Sequence, residues 1–394
     1  MPGMNGETIT NSNGTCQEYE LQGQENERVL LFKSSSGERI YRYATSIVVQ
    51  LPPQRSVLST SWLNGGHRED LECMFNHSIS FHGDEEELKG GSAESHLSMT
   101  AVELGFDPAL STGLLTAANM ENVSIVTHSF RGVEVTAMVT GGIDVNGGRA
   151  GDPASYFQED GRTRMVGGTI NTILLIGADL PAYAIARAVM TATEAKTVAL
   201  QELMAHSRYS SGIATGSGTD MIAVIADRTS PFHLTDSGKH SKLGELIGRC
   251  VIEATKEALS KQSELNPLSQ RNMFVRLERF GIDEKTVWKA AASMGGDCSK
   301  ARFRESLKEM STDPALVSAT SSVLHIVDEV SWGLMPENAG KGAAFCIMRG
   351  LPGLVTTKVE PPFDRLIKDT DSILVNWVRV TAWIARNAYF GNPG

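Results

Sequence analysis

The chain has 394 residues, of which 41% are hydrophobic and 21% are charged. This length and composition predict a soluble globular protein with one large core or two domains. The formal net charge of −10 argues against nucleic acid and anionic membranes as partners, because both attract a clustered positive field. The five cysteines are far apart and form no C-x-x-C pair, which argues against a disulfide framework or a zinc knuckle and favours a reducing compartment.

Neither an export signal nor a membrane span is predicted. Residues 1–27 are polar and indicate a poorly ordered tail, without the basic and apolar regions of a secretory signal. The longest apolar stretch, TILLIGADLPAYAIARAVM, is interrupted by Asp179, Pro181 and Arg187. We therefore expect a cytoplasmic protein.

Residues 28–265 predict an α/β or α+β core, with a mixed central β-sheet and packed helices. Two short strands are expected at 47–52 and 55–63, followed by an acidic loop at 83–96 and a helix at 98–106. Asp107 as N-cap and Pro108 in the first helical position predict another helix, which would extend to Ala118.

The second half of this core alternates strands and helices. Apolar alternation predicts a hairpin from 123–128 and 133–140, and the run 167–177 is apolar on both faces, as in a central strand. A helix to about 206, a buried strand at 220–227 and an amphipathic helix at 242–262 follow.

Residues 266–394 predict a mainly helical C-terminal subdomain. Four tryptophans are expected to anchor its core: Trp288, Trp332, Trp377 and Trp383.

The common motifs for phosphates, metals and acyl transfer are missing. The sequence has no P-loop, no G-x-G-x-x-G that opens a helix, no H-E-x-x-H and no G-x-S-x-G. No cofactor or metal is therefore predicted, although a metal site assembled from distant residues stays open.

Four turns rich in Gly and Asn lie at the ends of predicted strands or helices. They span 63–70 (LNGGHRED), 116–124 (TAANMENVS), 145–153 (VNGGRAGDP) and 207–220 (SRYSSGIATGSGTD). Each turn alone is better explained structurally, because Asn and Gly tolerate positive φ. Together they favour a ligand site, since glycine lets a ligand approach the backbone. The candidate binding residues are Asn64, Gly65, Gly66, Asn122, Asn146, Arg149, Asp152, Lys196 and Asp220.

Four residues are candidates for catalysis: Asp144, Glu194, Thr219 and His240. Glu194 is expected to be partly buried on its helix, where a carboxylate is either paired or tuned as an acid or base. His240 precedes a helix and is the best-placed general base of the core. Thr219 is a possible nucleophile if a base lies nearby. The structural alternatives are a salt-bridged turn for Asp144, a structural pairing for Glu194, an exposed loop for His240 and a turn hydroxyl for Thr219.

Long blocks of the sequence resemble the adenosylcobinamide amidohydrolase family. They include STSWLNGGHREDLECMFNH, VTAMVTGGIDVNGGRAGDPASY and SRYSSGIATGSGTD, in the family's order, and cover about 56–262. The helical region after 267 is similar to an extension of some longer members.

The resemblance implies an enzyme of corrinoid salvage. Such enzymes hydrolyse the amide between the corrin propionyl side chain and aminopropanol, so that adenosylcobinamide yields adenosylcobyric acid and 1-amino-2-propanol. The corrinoid is then the substrate and not a cofactor, and a homo-oligomer is possible. A non-catalytic corrinoid-binding or delivery protein is the alternative.

Two mechanisms are open. In the first, Asp144 or Glu194 activates water, Arg149 or backbone N–H groups hold the oxyanion, and His240 or Lys196 supplies the proton. In the second, the hydroxyl of Thr219 or Ser217 attacks the amide and forms a covalent intermediate.

Overall fold

A computed structural model describes residues 28–79, 83–84, 88–154, 164–165, 168–296, 298–355, 357 and 359–388. Two packed β-sheets form the centre of its N-terminal part, so the predicted mixed sheet with packed helices is confirmed and is joined by a second sheet. The predicted tail at 1–27 lies outside the described residues. No described helix combines the length and apolarity needed to cross a bilayer.

The first sheet, sheet A, has the strand order β1-β2-β3-β6-β8. Its strands are β1 (Val29–Lys33), β2 (Arg39–Arg42), β3 (Ser46–Gln50), β6 (Cys73–Ser78) and β8 (Ser111–Thr116). Only β6 and β8 pair in parallel among them.

The second sheet, sheet B, has the order β5-β4-β15-β13-β10-β9. Its strands are β4 (Arg55–Ser59), β5 (Gly66–Arg68), β9 (Ser124–Phe130), β10 (Val133–Gly142), β13 (Thr169–Ile176) and β15 (Met221–Asp227). The adjacent strands β13 and β15 are parallel, and the other pairs are antiparallel. The remaining strands form two short antiparallel ribbons. One pairs β7 (Gly83–Asp84) with β12 (Arg164–Met165), and the other pairs β11 (Gly147–Gly148) with β14 (Gly216–Ser217).

The core has four layers in the order helix, sheet, sheet, helices. Helix α1 (Ala93–Glu103) packs on the outer face of sheet A, and the inner face of sheet A packs on sheet B. Helices α2 (Ala182–Glu202) and α3 (Lys242–Ser263) cover the other face of sheet B. Both faces of β13 are therefore buried, as its apolar run predicts.

The predicted helix at 107–118 is wrong. Asp107 does cap Ala109, but the turn that it starts is a short 3₁₀ helix, Pro108–Leu110. The next residues form β8, fully buried and parallel to β6. Pairing with β6 prevails over the helix-start signal, because an N-cap stabilises only the first turn of a helix. Helix α1 also begins at Ala93, inside the predicted acidic loop, where Ser92 caps it.

A buried amide network joins the two sheets. Asn171 of β13 donates to the carbonyl oxygen of Leu115 and to Oδ1 of Asn76, each at 2.8 Å, and accepts from the backbone N–H of Met221. Asn76 of β6 donates in turn to the hydroxyl of Thr140 on β10. These groups are satisfied only when the two sheets are aligned, so the network specifies their alignment.

Two imidazoles, His96 of α1 and His77 of β6, meet between α1 and sheet A. The rings of His77 and His96 are 5.5 Å apart, and Nδ1 of His77 is 2.8 Å from the hydroxyl of Ser46. Burial, together with the positive charges of His96 and Lys89, lowers the pKa of His77 to about 4, and only Glu103 opposes this. The folded protein therefore keeps this ring neutral in mildly acidic solution.

The C-terminal region is helical, as predicted, and has its own apolar core. Its helices are α4 (Met273–Leu277), α5 (Glu284–Ala292), α6 (Lys300–Thr312), α7 (Pro314–Ser331), α8 (Glu337–Gly350), α9 (Phe363–Leu366) and α10 (Ile373–Asn387). Trp377 is fully buried in this core, as expected. The prediction for Trp332 is wrong, because Trp332 caps the end of α7 through its backbone N–H and is 56% exposed.

Replacement of Asn171 by alanine is expected to lower the free energy of unfolding by about 2 kcal/mol or more, because several buried partners lose their hydrogen bonds. Urea unfolding measures the effect. Thr172→Val is the matched control on the same strand, since the Thr172 hydroxyl makes no hydrogen bond to any residue that the structure describes. Equal stability of Asn171→Ala and Thr172→Val would contradict the role of the network.

Stability is expected to fall as the pH falls from about 6.5 towards about 4, because over this range the unfolded chain binds a proton at His77 that the folded chain does not. The contribution is at most about 1.4 kcal/mol per pH unit. Urea unfolding at several pH values, with wild type and His77→Gln, measures the difference in slope. An identical slope in both proteins would contradict the prediction.

Candidate active site

Two of the Gly-rich turns lie against each other. In the ribbon of β11 and β14, Gly147 pairs with Ser217 and Gly148 with Gly216. The ribbon lies where β10 ends and where the parallel strands β13 and β15 begin. Residues 145–153 and 207–220, which are separated by about fifty positions in the sequence, therefore form one surface.

Asp220 connects this ribbon to sheet B and to α2. Its Oδ1 accepts from the backbone N–H of Ile170 at 2.7 Å and from the hydroxyl of Ser217 at 2.6 Å. Its Oδ2 accepts from the backbone N–H of Ser217 at 2.9 Å and pairs with the ammonium of Lys196. The Lys196 and Asp220 side chains are only 13% and 12% exposed. Such a pair, shielded from water and supported by further hydrogen bonds, is held in one geometry.

A second hydroxyl lies beside this pair. Oγ1 of Thr219 is 2.8 Å from the carbonyl oxygen of Gly168 and 2.7 Å from Oγ1 of Thr169. Asn146 donates to the same carbonyl at 2.9 Å and accepts from the hydroxyl of Tyr209 at 3.1 Å. The side chain of Asn146 is therefore held in place on both sides.

Asn146, Lys196, Tyr209, Ser217 and Thr219 line a cavity of about 520 Å³. Its wall combines the ribbon, one face of α2 and the following loop. The lining residues are Asn146, Gly148, Arg149, Ala150, Asp152, Pro153, Ala154, Thr193, Lys196, Thr197, Tyr209 and the run from Thr215 to Thr219. Thr193, Lys196 and Thr197 share one helix face, as their spacing of three and four residues requires. The cavity thus presents hydroxyl, amide, ammonium and guanidinium groups.

Asp152 stabilises the loop that carries Arg149. One of its oxygens accepts from the backbone N–H of Arg149 at 2.8 Å and from the hydroxyl of Ser207 at 2.5 Å. Burial raises the pKa of Asp152, but hydrogen bonds from Ser207, Ser210 and this backbone group outweigh it, so that the pKa lies below its usual value. The carboxylate holds the loop and forms part of the cavity wall.

The family model described as adenosylcobinamide amidohydrolase matches residues 31–267. The chain belongs to the adenosylcobinamide amidohydrolase family. An adenosylcobinamide amidohydrolase of Methanosarcina mazei is 30% identical over 210 residues, which cover 51% of this chain and 89% of that protein. An uncharacterized protein of Methanocaldococcus jannaschii is 33% identical over 232 residues, covering 56% of this chain and 88% of that protein.

A solved structure, the PH0078 protein of Pyrococcus horikoshii, aligns over 59% of this family member and 82% of its own chain. The identity is 14% and the TM-score is 0.30, which is too low to establish a common fold. The family match ends at residue 267, so the helices from α4 onward lie outside it.

Three of the predicted catalytic residues of this family member lie outside the cavity lining. Glu194 was expected to be partly buried, but it is 52% exposed and pairs with Lys239 at 2.7 Å, because it points away from the face of Lys196. His240 is exposed in the turn before α3. Asp144 is exposed as well; desolvation raises its pKa, the charge of Glu278 adds to this, and Arg208 opposes it.

Four predicted binding residues belong to other parts of the fold. Asn64 has a positive φ and donates to the carbonyl oxygens of Pro108 and Ser111, each at 2.7 Å. A side chain at Gly65 would collide with the backbone of Ser61, and Gly66 has a φ of +84°. Asn122 donates to Gln262 at the end of α3. These contacts connect chain segments, and none of the four lines the cavity.

Asn146, Arg149, Asp152, Lys196, Thr219 and Asp220 are brought together as one site. Tyr209 was not predicted, because only the tertiary fold places its hydroxyl against Asn146. Among the described residues, no three His, Cys, Asp or Glu side chains lie close enough to hold a metal ion.

Gly216→Ala is expected to destabilise the protein by about 1–3 kcal/mol, because its methyl group would lie 2.4 Å from Oδ2 of Asp220 and 2.8 Å from Nζ of Lys196. The control is Gly218→Ala in the same loop, whose methyl group would have its nearest contact at 3.6 Å, with Asn146. Thermal or urea unfolding distinguishes the two variants. Equal stabilities would mean that the pair tolerates displacement.

Proposed function

We propose that this protein hydrolyses the amide bond between the corrin propionyl side chain and aminopropanol in adenosylcobinamide. The products are adenosylcobyric acid and 1-amino-2-propanol. Family membership supports the general activity. The observation that carries the proposal for this chain is that Lys196 and Ser217 line one cavity, while both are bonded to the carboxylate of Asp220 directly behind them.

Ser217 is the nucleophile that the geometry supports best. Its Oγ is 2.6 Å from Oδ1 of Asp220, a distance suited to proton transfer, and it lines the cavity. Thr219, the other candidate, has its hydroxyl between the carbonyl of Gly168 and the hydroxyl of Thr169. Oγ of Ser217 also lies 3.1 Å from the carbonyl oxygen of Gly168, so the difference is the carboxylate: among the described residues, Ser217 has one to accept its proton and Thr219 has none.

Asp220 and Lys196 together accept and return every proton that the formation of the Ser217 ester moves. Oγ of Ser217 forms a bond to the amide carbon as its proton passes to Oδ1 of Asp220. Collapse of the tetrahedral intermediate breaks the C–N bond, and Lys196 gives a proton to the departing amine. Asp220 then returns its extra proton to Lys196, which is its direct partner. Water hydrolyses the Ser217 ester, and the enzyme is restored.

The remaining polar groups suit substrate binding. A corrin is rimmed with carboxamides, and each of them needs a hydrogen-bond donor and an acceptor. Arg149 and the hydroxyls of Thr193, Thr197 and Thr215 offer such groups along the cavity wall. The water mechanism through Asp144 or Glu194 has less support, because neither carboxylate lines the cavity.

Ser217→Ala is expected to lower kcat by about 100-fold or more, as removal of a positioned nucleophile does. Lys196→Met is expected to lower kcat to a similar degree, because the leaving amine loses its proton donor. Mass spectrometry of the 1-amino-2-propanol that is released from adenosylcobinamide measures the kcat of both variants.

Thr219→Val tests whether the attacking hydroxyl belongs to Ser217 or to Thr219. The unfolding curve of each variant is compared with that of wild type, so that a loss of kcat is not a loss of folding. A larger loss in Thr219→Val than in Ser217→Ala would reverse the assignment of the nucleophile. Wild-type protein that binds adenosylcobinamide and releases no aminopropanol would contradict the proposed reaction and support a delivery protein.

A further inference from the structure

A second cavity of about 690 Å³ adjoins the first. The two cavities share Arg149, Asp152, Pro153 and Thr215, so they are continuous through the loop after β11. The end of α2 and the loop 210–213 form one side of the second cavity. The helical C-terminal region, which the family match does not include, forms the other side with Arg279, His325, Asp328, Ser331 and Trp332.

Arg279 fixes this second side against the core. Its guanidinium pairs with both carboxylate oxygens of Asp328 on α7, at 2.8 and 2.6 Å, and donates to the carbonyl oxygen of Ser211 at 2.7 Å. Arg279 is only 4% exposed and Asp328 14%. A bidentate pair with little solvent access restricts the relative position of α7 and the 210–213 loop. The cavity is therefore preformed rather than left open between loosely connected parts.

The chemistry of this wall suits a flat heteroaromatic group. Trp332 offers an indole ring that is 56% exposed, on the side of the cavity that α7 provides. Nearby polar groups can bond the edge of a base: the Gln201 amide, the hydroxyls of Ser210 and Ser331, and the Asp328 carboxylate, whose oxygens can each accept more than the one bond from Arg279. An aromatic face on which a base can stack, beside acceptors for an exocyclic amino group such as that of adenine, suits a nucleobase.

We infer that the second cavity is a nucleobase subsite, in which Trp332 stacks on a purine-type base of the corrinoid while the scissile amide lies in the first cavity. The inference rests on the proposed function, since it assumes a corrinoid in the first cavity. The base has two possible sources, the adenosyl group on cobalt or the lower nucleotide of an intact cobamide. Residues outside the family match would then contribute directly to substrate selection.

Equilibrium dialysis with coloured corrinoids tests this without relying on turnover. Trp332→Ala is expected to weaken the binding of adenosylcobinamide about fivefold or more, as loss of one base–aromatic stack predicts. Binding of dicyanocobinamide, which has no base, is expected to be unchanged. A dicyano cobamide that carries an adenine lower base separates the sources: weakening with this ligand and not with adenosylcobinamide would place the lower base in the subsite.

Two further variants complete the experiment. Trp332→Phe keeps an aromatic plane and is expected to retain most of the affinity. Leu334→Ala removes another exposed apolar side chain just beyond α7, 72% exposed and outside the lining of either cavity, and is expected to bind like wild type. Unchanged affinity of Trp332→Ala for every ligand, or equal weakening for dicyanocobinamide, would overturn the subsite. So would a change of oligomeric state in Trp332→Ala, because the indole would then be a contact between copies.

The experiment separates this inference from the proposed function. If wild-type protein shows the expected pattern of affinities but releases no aminopropanol, the subsite stands and the hydrolysis does not. If aminopropanol is released and the affinities do not respond to Trp332, the hydrolysis stands and the subsite does not.

Discussion

The carboxylate of Asp220 is the point at which the parts of the candidate active site meet. Its two oxygens bind the start of β13 through Ile170, the β14 ribbon through Ser217, and α2 through Lys196. A carboxylate can accept this many hydrogen bonds, whereas a neutral side chain of the same size cannot. The largely buried cation beside it needs this partner, because an unpaired buried charge is strongly destabilising. The geometry of the site and the local stability therefore depend on one residue.

The alignment of the sheets places this site. Asn171, Asn76 and Thr140 hydrogen-bond across the interface between sheets A and B, so that β8 lies against β13 in one register. The cavity lies where β13 and β15 begin, and not at the carboxyl ends of parallel strands, where ligands of open α/β sheets usually bind. The glycines of the ribbon make room mainly for the protein's own side chains: a methyl group at Gly216 would meet Lys196 and Asp220.

The helical C-terminal region extends this arrangement beyond the family's common part. It has a separate apolar core around Trp377, and Arg279 connects it to the loop that follows α2. Its exposed Trp332 lines the second cavity, which continues from the candidate active site. A substrate as large as a corrinoid needs a wide binding surface, and a wall added by this region is a direct way to provide one.

Local patterns in the sequence determined the strands of the hairpin, the buried strand β13, the long helices α2 and α3, and the helical character of the C-terminal region, because periodic burial is written along each segment. The family was also recognisable from the sequence blocks. Only the tertiary structure decided which polar turns share a site. It joined Ser217 and Asp220 to Lys196 and left Asn64 and Asn122 as connectors, since ion pairs and ribbon pairing between distant segments have no local signal. The same long-range pairing made β8 a strand despite its helix-start signal, and it left Trp332 exposed beside a cavity instead of buried in a core.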